Sequence, residues 1–374
     1  MRHLIRNCLI KFFTFFPLKK KRIFFESFNG SKYADSIKIL YEYMQHQNKN
    51  YDYIWVLDNN SFQFQYENTK KIKRKSIKYY YYYATSKYII TNVHKHGMKP
   101  NKKAKLVLIW HGAGAFKKFG LDVDRKCKGR EEELYADGKT LDYLICSSKN
   151  VVDTYSKALA VDKEKIYPIG LPRNDIFYDE RVKEIISKEF QKRFNSFNKT
   201  VVLYAPTHRN SELSFTINQD LVKVFNALSE THIFLIKTHY YIQKNISSEL
   251  FSDSIYDVSD FNDIQELLVF SDILITDYSS VFYDFGLQMK PTLFFAYDLE
   301  DYEREWGFYH CYREYVPGPI ATNPNQLVEF LKDENLLNES KKKMKSFIKD
   351  YDDYKDGKST QRVFELIFDE REEE

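Results

Sequence analysis

The sequence predicts an α/β protein of two doubly wound, Rossmann-like parallel-sheet domains facing a cleft. Three observations lead there. Apolar runs of strand length recur along the chain, and they are continuous rather than alternating, as in strands buried on both faces. Helical patterns lie between many of them, which is the alternation that parallel sheets require. A charged helical stretch, Arg181–Lys199, ends in Asn195-Ser196-Phe197-Asn198 and separates two such series.

In the first series, strands are expected at Arg22–Phe28, Tyr53–Leu57, Tyr88–Thr91, Lys105–Trp110, Tyr143–Cys146 and Ile166–Ile169. In the second they fall at Thr200–Tyr204, Ile233–Lys237, Ser254–Val258, Ile273–Thr276 and Thr292–Phe295. Helical patterns cover Ser36–Gln47, Asp220–Ser229 and Asp263–Ser271, and the chain turns helical after Pro319. The run Tyr79–Tyr83 reads as one face of an amphipathic helix. The expected organisation is a basic aromatic segment at 1–21, a first domain at 22–195 and a second at 196–345. A last helix at 346–374 would cross back to the first domain. Ligands of such sheets bind at the carboxyl ends of the strands.

A chain of 374 residues has room for two ordinary domains. Its net charge of +4, from 57 basic and 53 acidic residues, is too balanced to point to nucleic acid. Cys8, Cys127, Cys146 and Cys311 are scattered without a CxxC, which argues against a disulfide framework or zinc site and fits a reducing cytoplasm. The stretch Cys8–Leu18 is interrupted by Lys11 and falls well short of the roughly 20 apolar residues of a membrane span. It also runs into Pro17 and a basic cluster without a small-residue cleavage site, unlike a signal peptide. Phe12, Phe13, Phe15 and Phe16, flanked by lysines, have the chemistry of an interfacial membrane anchor. The alternative is a first helix packed on the domain.

Five segments could carry chemistry. In Ser271–Phe285 an apolar strand ends at Thr276, and Ser279 and Ser280 stand where the next helix begins. Free N–H groups and hydroxyls there suit a phosphate, with Asp277 adjacent; a plain helix cap at Ser279 is the simpler reading. In Leu106–Gly120 a strand delivers His111 to a Gly-rich turn, followed by Lys117 and Lys118. A histidine so placed can act as general base, and Gly112 and Gly114 allow close approach to the main chain. In Val201–Arg209, His208 and Arg209 follow a strand, where Arg209 is either a phosphate clamp or an exposed loop residue. Lys237 and His239, two apart at a strand end, share a face and could meet one anion. The tight loop Gly170–Asp175 offers Arg173 and Asn174.

No GxGxxG at the first strand-helix turn, GxxxxGK[ST] or HExxH is present, so dinucleotide binding, P-loop ATPase and zinc peptidase readings lack support. Together, however, the segments resemble the CDP-glycerol glycerophosphotransferase family of teichoic acid and capsule polymer synthesis. The resemblance rests on Trp110-His111-Gly112 with Lys117-Lys118-Phe119-Gly120, on Gly170-Leu171-Pro172-Arg173-Asn174-Asp175 and on Tyr204-Ala205-Pro206-Thr207-His208-Arg209. It continues through Thr276-Asp277-Tyr278-Ser279-Ser280, Asp284-Phe285, Tyr297-Asp298-Leu299 and Gly307-Phe308-Tyr309, and Phe25-Glu26-Ser27-Phe28-x-Gly30 is of the same type. Ala113-Gly114-Ala115-Phe116 replaces the more usual Thr-Pro-Leu, and Tyr240 stands where a proline is common, which leaves polyol and acceptor open.

The resemblance implies a GT-B architecture and transfer of glycerol or ribitol phosphate from CDP-glycerol or CDP-ribitol. The acceptor would be a hydroxyl of a lipid-linked polyol-phosphate or saccharide, at the cytoplasmic face of the membrane. By the same resemblance His111 is the general base and His239 stabilises the diphosphate or leaving CMP. Ser279 and Ser280, with Arg209, hold the donor diphosphate. Gly112, Lys117, Arg173, Lys237 and Asp277 complete the expected substrate-binding set. No cofactor, tightly bound metal or nucleic acid is expected. Fold class alone also admits a nucleotide-sugar glycosyltransferase or a non-catalytic, polymer-binding scaffold.

Overall fold

His232–Ile236 is buried at every position, and such β-rich runs form strands only where both faces of a sheet are covered. The computed structural model, which describes residues 2–59, 61–94, 100–123, 131–207, 209, 219–238 and 252–369, contains two sheets built this way. The first holds β1 (Lys19–Glu26), β2 (Asp52–Val56), β3 (Thr69–Ile72), β4 (Ser86–Thr91), β5 (Lys105–Ile109), β6 (Tyr143–Cys146) and β7 (Ile166–Pro168). Their order is β3-β2-β1-β4-β5-β6-β7, and every pairing is parallel. The second holds β8 (Thr200–Tyr204), β9 (His232–Ile236), β10 (Ile255–Asp257), β11 (Ile273–Thr276), β12 (Thr292–Phe295) and β13 (Ile320–Ala321). Its order, β10-β9-β8-β11-β12-β13, is also wholly parallel. Counted from its own first strand, the second sheet runs 3-2-1-4-5-6, the doubly wound order, and the first runs the same with a seventh strand added at its edge.

The chain divides into two compact units, Met1–His111 with Phe119–Asp175 and Asp356–Glu374, and Gly112–Lys118 with Ile176–Lys355. The division after Asp175 lies ahead of the boundary expected at 195/196. The charged helix Glu180–Arg193 belongs to the second unit because Phe190 and Phe194 pack at its end on Phe261 and Phe270. In the first unit, the helix Ser359–Phe368 is capped by Asp175, whose carboxylate accepts from Ser359 N (2.9 Å), Thr360 N (2.8 Å) and Thr360 Oγ1 (2.6 Å). Arg362 Nε donates to Ile169 O at 2.9 Å, fixing the same helix to the loop after β7. The cap on Ser359 and Thr360 gives Asp175, the last Asp of Gly-Leu-Pro-Arg-Asn-Asp, a physical job.

The N-terminal helix Arg2–Phe13 packs on the helix Ile77–Thr85, where Phe13 and Phe16 meet Tyr81 edge-on at 5.6 and 5.8 Å. Ile10 is buried, whereas Phe12, Phe15, Phe16 and Ile77 stay exposed. No described helix is long and apolar enough to cross a membrane.

Candidate functional site

Strand order reverses beside β1 in the first sheet, and at such a reversal the connections leaving the carboxyl ends of the two strands, here β1 and β4, part and leave a crevice. The residues that follow these two strands fill it. Asn92, just after β4, is fully buried, and its side-chain amide is held at both ends: Phe28 N donates to Oδ1 at 2.8 Å, and Nδ2 donates to Asp35 Oδ2 at 2.7 Å. Asp35 opens the helix Asp35–His46 with φ of 66°, an unusual conformation that aspartate tolerates better than most residues. Its Oδ1 accepts from Ser36 N at 2.7 Å and from Arg173 Nη1 at 3.1 Å. Arg173 Nη1 also donates to His111 O at 2.6 Å, and Arg173 N donates to Ser36 Oγ at 3.3 Å.

His111 follows β5, with Nδ1 at 3.0 Å from Asn92 O. Its ring lies against Trp110 (4.5 Å between centroids) and edge-on to Phe28 (6.3 Å). The side chain is solvent-accessible, yet dense protein around it reduces hydration of the charged form. That desolvation lowers the His111 pKa below the ordinary histidine value, against the opposing pull of Asp35. For Asp35, burial alone would raise the pKa; Arg173, the Asn92 amide and Ser36 N–H outweigh it and hold the carboxylate ionised.

The second unit has its own reversal beside β8, between β8 and β11. Here lie Ala205–Thr207, Arg209 and Asp277–Ser280. Arg209 is the hub. Its Nε meets Asp298 Oδ2 at 2.7 Å, Nη2 meets Asp298 Oδ1 at 3.0 Å and Asp277 Oδ2 at 2.9 Å, and Nη1 donates to Thr207 O at 2.6 Å. Tyr278 and Tyr302 flank the guanidinium at 4.8 and 5.1 Å. Burial disfavours the Arg209 charge, but the hydrogen bonds and charges of Asp298 and Asp277 raise its pKa above the usual arginine value. Most of the fork is thus committed to carboxylates and a carbonyl.

Asp277 Oδ1 accepts from Thr207 N (2.8 Å) and Tyr278 N (2.5 Å), and Tyr312 Oη donates to Asp277 O at 3.0 Å. Asp277 therefore ties the two strand-end loops together. Ser279 Oγ accepts from Val281 N at 3.3 Å; Ser280 precedes the helix Val281–Gly286 and makes no side-chain cap bond. Both serines are partly exposed.

Gly112–Lys118 belongs to the second unit although it directly follows His111. Phe116 anchors it, 2% exposed among Phe282, Phe308, Tyr312 and Tyr315. Lys118 N donates to Gly307 O and Tyr309 N to Phe116 O, both at 3.0 Å, which pairs the Lys-Lys segment with Gly307-Phe308-Tyr309. A Cβ on Gly114 would stand 2.1 Å from the Tyr283 ring, so glycine is required there. Lys117 Nζ donates to Tyr302 Oη at 3.3 Å, and Lys237 Nζ donates to Ser259 O at 2.8 Å and Phe261 O at 2.5 Å. His208 and His239 lie outside the described residues.

The sequence reading brought His111 and Arg173 to notice separately; the structure joins them through Asp35 and Asn92, which it had not singled out. Thr91-Asn92 at the end of an apolar strand was the available signal. Asp298 was noticed only as part of a motif, and it proves to be the main partner of Arg209.

Residues 8–369 match the family described as CDP-Glycerol:Poly(glycerophosphate) glycerophosphotransferase. A teichoic acid glycerol-phosphate transferase of Staphylococcus aureus (strain NCTC 8325 / PS 47) is 32% identical, covering 93% of this chain and 93% of its own. A teichoic acid poly(glycerol phosphate) polymerase of Staphylococcus epidermidis (strain RP62A) is 33% identical over 94% of this chain, which spans only 51% of that polymerase. A solved structure of the wall teichoic acid polymerase TagF superimposes with a TM-score of 0.88 at 31% identity, covering 97% of this chain and 92% of that one. With the match running almost end to end, the chain belongs to the CDP-glycerol:poly(glycerophosphate) glycerophosphotransferase family.

Proposed function

We propose that this protein transfers glycerol phosphate, or ribitol phosphate, from a CDP-activated donor to a hydroxyl of a lipid-linked acceptor and releases CMP. The observation that carries the reading is His111: a solvent-accessible imidazole at a strand end, with one nitrogen held by a carbonyl. Its lowered pKa keeps it unprotonated at neutral pH, as a base needs. It takes the acceptor proton as the hydroxyl oxygen attacks the β-phosphorus of the donor; the new P–O bond forms, the bond to CMP breaks, and CMP leaves with the electron pair. Ser279 and Ser280 offer hydroxyls and N–H groups to the diphosphate, and Lys117 and Gly112 line the approach to it. In this reading Arg209 and Asp277 shape the serine corner rather than grip phosphate, and Arg173 acts on His111 rather than on substrate. Lys237 holds the turn Ser259–Phe261 against its own strand end, and His239, two residues on, stabilises the leaving CMP in this reading. The GT-B assignment, with donor chemistry on the second unit, belongs to the same proposal.

Exposed Phe12, Phe15, Phe16 and Ile77, with Lys11 and Lys19–Lys21 nearby, support peripheral attachment at the cytoplasmic membrane face, where a lipid-linked acceptor resides. The deciding experiment supplies purified protein with CDP-glycerol, CDP-ribitol or UDP-sugars and a synthetic lipid-linked saccharide primed with one glycerol phosphate. CMP release with acceptor extension is expected. UDP release without CMP would establish the nucleotide-sugar reading instead.

A further inference from the structure

A histidine serves as a base through one nitrogen, and which one is set by what the other nitrogen bonds. His111 Nδ1 lies 3.0 Å from Asn92 O. A carbonyl oxygen has no proton to give, so Nδ1 must carry the hydrogen, and in the neutral ring Nε2 holds the lone pair. The acceptor is itself heavily constrained. The Asn92 amide is clamped between Phe28 N and Asp35 Oδ2, and Thr91 Oγ1 accepts from Val93 N at 3.2 Å, bracketing the Asn92 peptide. The same Asp35 carboxylate binds Arg173, whose Nη1 holds the backbone carbonyl of His111. One buried carboxylate thus fixes both the acceptor of the ring proton and the backbone that carries the ring. The charged and titratable groups acting on the imidazole are Asp35, Arg173 and His94. Phe28 and Trp110 limit rotation of the ring. The positive φ of Asp35 is a backbone conformation that only a supporting environment sustains.

We propose that Asp35 and Asn92 are positioning residues that lock His111 in the Nδ1–H tautomer, leaving Nε2 as the basic nitrogen. The inference rests on His111 being the base, as proposed above. It assigns Asp35 and Asn92 no contact with substrate, so their loss lowers the fraction of imidazole in the working form and orientation without weakening donor binding.

The test labels the histidines of the full chain with nitrogen-15 and reads the His111 tautomer from long-range nitrogen–proton correlations, the signal being identified by its loss in His111→Gln. The native protein is expected to show Nδ1–H alone. Asp35→Asn keeps the shape and tolerates the positive φ, and Asn92→Ala removes the clamp directly. Both are expected to show mixed tautomers. Their kcat for CMP release falls by about tenfold to a hundredfold, less than the roughly 10²–10⁴-fold due to a general base, with KM for CDP-glycerol nearly unchanged. Nε2–H in the native protein overturns the inference without requiring any variant to fold. So do folded variants that retain a single Nδ1–H tautomer, with His111→Gln inactive. A fully active His111→Gln instead overturns the base role itself, and is recognisable as that separate failure.

Discussion

The two strand-order reversals are built alike and finished differently. Each buries an arginine on carboxylate and gives one of its N–H groups to a backbone carbonyl: Arg173 to Asp35 and His111 O, Arg209 to Asp277, Asp298 and Thr207 O. In the first unit one carboxylate balances one guanidinium, and the product is an oriented, titratable ring. In the second, two carboxylates and flanking tyrosines enclose the guanidinium, beside a loop that carries two partly exposed serines. In both cases the guanidinium is taken up by the protein's own carboxylates and a backbone carbonyl, which is why the proposed function assigns neither arginine to phosphate.

The comparison breaks most sharply at His111. His111→Ala should cut CMP release by roughly 10²–10⁴-fold with thermal stability retained; a small effect would mean that the first corner is structural too. The acid limb of the kcat profile tests the same ring. Because the folded pKa lies below the ordinary value of about 6.5, activity should persist down through that pH and fall only as the ring protonates below it.

Next in size is the contrast between the arginines. Arg209→Met leaves Asp277, 2% exposed, beside Asp298 without their cation, and should cost about 3–5 kcal/mol in urea unfolding. Arg173→Met should cost less, since Asp35 keeps the Asn92 amide and Ser36 N–H, and should show mainly as lost kcat. Equal stability losses would dissolve the distinction. Gly114→Ala forces the Tyr283 ring aside and should cost about 1–3 kcal/mol. Smallest is Ser279→Ala with Ser280→Ala, expected to raise KM for CDP-glycerol about tenfold, the equivalent of one or two lost hydrogen bonds.

Much of the scaffold was legible. Strands such as β5 and β9 are continuous apolar runs, and a run of that kind has no stable home except inside a covered sheet. The two strands that escaped notice sit at sheet edges: β3 is Thr-Lys-Lys-Ile, and β13 is only two residues long. Edge strands are short and charged for reasons of solubility, so periodicity does not mark them. The second compact unit begins ahead of the boundary expected at 195/196, because Phe190 and Phe194 dock the end of the charged helix Glu180–Arg193 on it, a contact that charge along the helix does not reveal.

By itself the sequence marked the described strands other than β3 and β13, and the polar residues at their carboxyl ends, since both are local consequences of hydrophobic runs and the turns that end them. Only the tertiary structure decided which of those polar residues meet. Asp35, Asn92, His111 and Arg173 are spread over 138 positions and converge because β1, β4 and β5 lie side by side in the sheet and the loop after β7 returns to their carboxyl ends. That adjacency is fixed by sheet order, a long-range choice made by packing, and no spacing along the chain encodes it.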